Sequence, residues 1–158
     1  MAFRVLYTYH GGGVPTLGCG ITAAETWDRG DIVVRVAAGT ISEGADDSSD
    51  VLGVALEPVT TGAALGPDTN TALVSPFMPG VVYAVNSPSS QTFATANIGE
   101  QCDLDLVSGD WGILAGTSAT ANTPQFIIVD IDTVRNEAHV IIAPAGVADV
   151  FQTWDATV

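Results

Sequence analysis

A chain of 158 residues, 47% of them apolar, is long enough for one core and too apolar for general disorder. Eighteen Asp and Glu stand against four basic residues, Arg4, Arg29, Arg35 and Arg135, with no lysine, so the formal net charge is -14. That balance argues against direct nucleic-acid binding, which needs Lys and Arg to displace condensed counterions, and the missing lysine removes Schiff-base and P-loop chemistry.

The opening "MAFRVLYTYH" has no apolar run ending in a small-residue cleavage site, and no apolar run is long enough to cross a bilayer. The expectation is a soluble protein made in a cytoplasm, without membrane association. In "AFRVLYTY" a period of two places Phe3, Val5, Tyr7 and Tyr9 on one side of a strand. "HGGGVPTLGCG" follows with five glycines in eleven residues, a composition that reads as a flexible joint. Residues 1–20 are therefore expected to form an extended N-terminal arm with a Gly-rich joint. Residues 21–158 are expected to form a single β-rich domain with a short C-terminal tail.

"GITAAETWDRG" is the one segment with helical character, with Thr22 as its cap, Trp27 near its end and Gly30 as its stop. Beyond it "DIVVRVA" reads as a strand, with Ile32, Val34 and Val36 opposite Val33 and Arg35. Further β-rich runs cover 51–56, 71–74, 81–85, 101–107, 111–114, 125–134 and 138–143, separated by turn-formers such as "SEGADDSSD", "SPFMPG" and "SGD". Many short strands joined by Gly- and Pro-containing loops predict an all-β fold: a small antiparallel barrel or sandwich with at most one or two short helices. In "QCDLDLV", Cys102, Leu104 and Leu106 share the inner face and Asp103 and Asp105 the outer one. A Cys19–Cys102 disulfide is left open. At the C-terminus "GVADVFQTWDATV" sets Phe151 and Trp154 three residues apart, the spacing of a short helix face or of an apolar tail pressed onto a neighbour or onto its own domain.

Several motifs invite chemistry and fail a structural requirement. "GCGITA" has the letters of a dinucleotide fingerprint, but no strand feeds it and the helix after it is cut short by Gly30. "RGD" at 29–31 reads as a turn before a strand. His10 borders the glycine joint and His139 lies on an apolar strand, and no nucleophile elbow accompanies either. The pairs Asp103/Asp105 and Asp130/Asp132 match solvated strand faces. Counting Asp46 as the first position of a calcium loop gives acceptable oxygens at Ser48, Asp50 and Glu57, but the obligatory glycine is replaced by Val51. A weak surface ion at Asp46, Asp47 and Asp50 stays open. No catalytic residue, cofactor or defined metal site is assigned.

The order of the phrases carries one further reading. "WDRGDIVVRV", an acidic loop, "DVLGVALEPVTTGAAL", "VVYAV", "IGEQCDLDLV" with "DWGIL", and "FIIVDIDTVRNEAHVII" together resemble bacteriophage capsid cement or head decoration proteins, over about 27–143. The resemblance implies a non-enzymatic β protein on the exterior of the virion. It would bind the major capsid protein on the outside of an assembled head, commonly as a homotrimer, and stabilise that capsid. Within that reading Phe3, Arg4, Val5, Tyr7 and Tyr9 are the expected contacts of the arm with the capsid or a neighbouring subunit, and Phe151 and Trp154 those of the tail. The alternative is a receptor- or glycan-binding β module with Trp27 or Trp111 as an exposed aromatic platform.

Overall fold

The computed structural model describes residues 3–8, 13–36, 39–45, 51–63, 72–116 and 126–143. Among them strands are nearly continuous, and the one helical element is a single 3-10 turn at Thr95–Asn97. The fold is all-β, as the short alternating runs predict.

Two sheet systems share the core. Strands β1 (Arg4–Thr8), β9 (Val81–Val85), β13 (Glu137–Ile142), β12 (Phe126–Asp132), β10 (Gln101–Val107) and β11 (Asp110–Ala115) form a six-stranded antiparallel sheet in that spatial order. Strands β2 (Leu17–Ile21), β5 (Thr40–Glu43), β4 (Ile32–Arg35), β6 (Val51–Ala55) and β8 (Ala72–Pro76) close into a small barrel. A two-residue ribbon pairs β3 (Thr26–Trp27) with β7 (Val59–Thr60). One ladder departs from the expected antiparallel pattern: β2 runs parallel to β5, the eighteen residues between them providing the crossover that a parallel pair needs.

Strands β4 and β6 are barrel strands that also pack against the six-stranded sheet, which explains the apolar runs "IVV" and "VLGVA". Ile32, Val51 and Val54 face the six-stranded sheet and pack with Phe77, Tyr83, Trp111 and Phe126. Val33, Leu52 and Ala55 point the other way, into the barrel with Ile21, Ile41 and Val74. A strand buried on both faces has no polar side to show, so alternation gives way to an apolar run.

Three expectations are corrected. The helix over 22–27 does not form: a turn with Ala24 at φ 60° leads into β3, and Trp27 is a core residue of the barrel side. Tertiary packing of Trp27 here outweighs a weak local helical preference. The joint is shorter than 1–20, because Leu17–Ile21 is a barrel strand despite Gly18 and Gly20. Finally, Tyr7 does not share a face with Phe3 and Val5. A bulge at Leu6 lets Val5 oppose Tyr83 and Tyr7 oppose Val82, so one extra residue turns Tyr7 to the side of Arg4.

Other readings hold. "RGD" is a turn with Gly30 at φ 97°, where a side chain would be strained. Cys102, Leu104 and Leu106 face the core. Cys19 and Cys102 are free thiols, one in the barrel and one in the sheet. Burial pushes the Cys102 thiol up to about 12, and burial also raises that of Cys19.

Candidate interaction surface

The N-terminal strand is built into its own chain. Phe3 is 3% exposed and its ring sits 5.7 Å from Phe77 and 5.6 Å from Phe126, centroid to centroid. Its amide donates to Gly30 O at 3.0 Å, and the Gly30 amide donates to Ala55 O at 2.8 Å. These two bonds tie the start of β1 to the end of β6. An apolar side chain of this size finds its burial within reach of the fold, so the strand docks instead of projecting as an arm.

On the outer face Arg4 Nη2 donates to Glu137 Oε2 at 2.9 Å, reaching past β9 to β13. The arginine is half-exposed and the carboxylate buried. Tyr7, on the same face after the bulge, is 48% exposed. Thus the structure brings Phe3, Arg4, Val5 and Tyr7 together on one edge strand and divides them between two faces. Tyr9, Phe151 and Trp154 lie outside the described residues, as do His10 and the acidic loop 46–50.

The two ends of the six-stranded sheet differ. At β11 the outer edge is occupied by the 86–91 segment: Ile113 N donates to Asn86 O at 3.2 Å, Ala115 N to Gln91 Oε1 at 2.9 Å, and Gln91 Nε2 to Ala115 O at 3.3 Å. Such cover is a common way to blunt a sheet edge. At the opposite end β1 is the terminal strand of the order.

Beside β1 lies a groove of about 580 Å³, lined mainly by apolar residues, among them Phe3, Val5, Val14 and Leu56, together with Arg4 and Arg29. The guanidinium of Arg4 is itself engaged with Glu137. Arg29 stands on the exposed turn before Gly30 and makes no ion pair among the described residues. Sequence reasoning missed Arg29, Val14 and Glu137 as parts of this surface. Glu137 alone carried a signal, as an acid opening the mostly apolar stretch "EAHVII".

Several polar side chains away from β1 bond within the fold. His139 Nδ1 lies 3.2 Å from Asp130 Oδ2 across the β12–β13 ladder. Asp132 Oδ1 accepts from the amides of Val134 at 3.0 Å and Arg135 at 3.1 Å, closing the turn that follows β12. Asp105 accepts a hydrogen bond from Ser89. Glu25 accepts from Ser42 Oγ at 2.6 Å and from Glu43 N at 2.8 Å, fastening β5 to the 22–25 turn. Trp27 and Trp111 are 3% and 1% exposed, so neither can present an aromatic platform. Among the described residues no three His, Cys, Asp or Glu are placed to hold a metal ion, and no helix is long and apolar enough to cross a membrane.

Comparison with models of known protein families and with curated proteins finds no match.

Proposed function

We propose that this protein is a capsid decoration protein: it binds the outer surface of an assembled phage head as a trimer and stabilises it by contact area, catalysing no reaction. The observation that carries the reading is the outer face of β1, where Tyr7 is 48% exposed on the same side as the half-exposed Arg4. An exposed aromatic beside an arginine is a surface that a partner protein can cover.

The charge supports the exterior position. Fourteen net negative charges repel packaged DNA, and a surface of this kind is compatible with a partner on the outside of the shell. A trimer would carry 3 × -14 = -42, so its contacts must be drawn from apolar and cationic patches such as the β1 side, with the acids kept at the rim. The order of strand phrases set out above lends the same support.

The test is direct. Purified protein is mixed with expanded, undecorated heads; saturable binding and a higher disruption temperature of the heads are the expected result. No binding and no gain in head stability would refute the proposal.

A further inference from the structure

We infer that the groove beside β1 receives the β12–β13 turn of a second copy of this chain, with Val134 as the inserted side chain. Val134 is 93% exposed, far above any other large apolar side chain among the described residues. It is also held in place. The amides of Val134 and Arg135 donate to Asp132 Oδ1, and Asn136 fastens the base of the turn, accepting from Phe93 N at 2.8 Å and donating from Nδ2 to Gln91 O at 3.0 Å. An apolar side chain projecting from a fixed turn loses little freedom when a partner covers it. The groove, apolar along Phe3, Val5, Val14 and Leu56, has ample room for one valine side chain at about 580 Å³. The exposure of Val134 shows that it does not fill the groove of its own chain.

Charge selects these two patches. Chains of net charge -14 repel one another, so close approach is favoured where cations stand at the contact. Of the four arginines, Arg4 is tied to Glu137 and Arg35 is only partly exposed on β4. The other two are exposed: Arg29 lines the groove, and Arg135 flanks Val134. Arg29 makes no ion pair among the described residues, and the exposed Asp28 precedes it. On the turn, Arg135 Nε stands 3.8 Å from Asp132 Oδ2, a long contact at the surface. Seating Val134 lets Arg29 meet Asp132 and Arg135 meet Asp28, so each exposed cation gains a carboxylate across the contact. The contact joins unlike surfaces, the arrangement that closes a ring of copies. It gives the trimer proposed above its contacting residues but concerns the protein alone, so its test contains no heads and leaves head binding to be judged separately.

Sedimentation of the purified full chain and of two variants tests it. Val134→Asp spoils the inserted side chain and leaves the groove intact, whereas Val14→Asp spoils the groove and leaves the turn intact. Both positions are exposed, so neither change enters the core. The unaltered chain is expected to sediment as an assembly and each variant alone as a monomer. An equimolar mixture of the two variants should form one-to-one pairs through the single intact contact. An unaltered chain that is monomeric at every soluble concentration overturns the inference. Association that survives either substitution overturns it too, as do monomeric variants that fail to pair when mixed. Should an aspartate variant fail to fold, Val134→Ser and Val14→Ser replace the pair, with the same outcomes deciding.

Discussion

Arg4 and Glu137, 133 positions apart, are joined by a 2.9 Å hydrogen-bonded ion pair whose carboxylate is 5% exposed and whose guanidinium is 46% exposed. Removing the arginine leaves a buried carboxylate without its counter-ion, whereas Glu137→Gln keeps an acceptor for Arg4. Arg4→Ala is therefore expected to cost about 1–2 kcal/mol, discounted for the exposure of Arg4, and Glu137→Gln less. Urea denaturation of both variants checks the order; equal or reversed losses would contradict it.

Phe3 supplies the second anchor of β1. Its ring touches Phe77, Tyr83 and Phe126 in one aromatic cluster, with the Phe77 and Tyr83 contacts edge-on. Phe3→Ala removes a buried ring from a packed core and should cost about 3–4 kcal/mol. A free arm would predict almost no loss. Chemical denaturation, with amide exchange in β1 and β9, distinguishes the two outcomes.

How far the sequence reveals the fold depends on what each residue interacts with. β6 and β9 were legible because "VLGVA" and "VVYAV" are buried throughout, and such runs between turn-formers have few other readings. β2 was not, since "LGCGI" owes its extended form to ladders with β5 and β8 and glycine alone reads as a break. The face of Tyr7 was misread because a bulge leaves no mark on a period of two. Arg4 is expected from the sequence only as a contact of the arm with another chain, whereas its guanidinium pairs with Glu137 of the same chain, and no local pattern links the two positions.

Gly53 is a barrel glycine whose position leaves no room for a side chain. It opposes Pro76 across the β6–β8 ladder, and an added Cβ would meet the Ser75 carbonyl and lie 2.7 Å from Pro76 Cα, both of them backbone. Neither neighbour can swing aside as a long side chain would. Gly53→Ala should destabilise the protein by about 2–3 kcal/mol through forced separation of the strands. The control is Gly62→Ala, where the Cβ meets nothing within 4 Å and stability should be nearly unchanged. Thermal melts of the two variants at one pH give the comparison.

Glu43 makes stability depend on pH in a definite direction. Burial first, and then the charges of Asp31, Glu25 and Asp28, raise its carboxyl above the ordinary value of 4.5. Asp31 is also raised, chiefly by burial, despite accepting a hydrogen bond from Asp28 N at 2.7 Å. A carboxyl whose folded pKa exceeds its unfolded one binds its proton more tightly in the native state. Its contribution is thus fully present below the unfolded value and is lost as pH rises through the folded value. At pH 7 the ionised Glu43 is a burden that Glu43→Gln removes. The variant should melt above the unaltered protein at pH 7, and the two curves should converge as pH falls towards 4. Melting temperatures at half-unit intervals between pH 4 and 7 decide it: a constant offset, or a variant that melts lower at pH 7, would show that the repulsion around Glu43 is not felt by the folded chain.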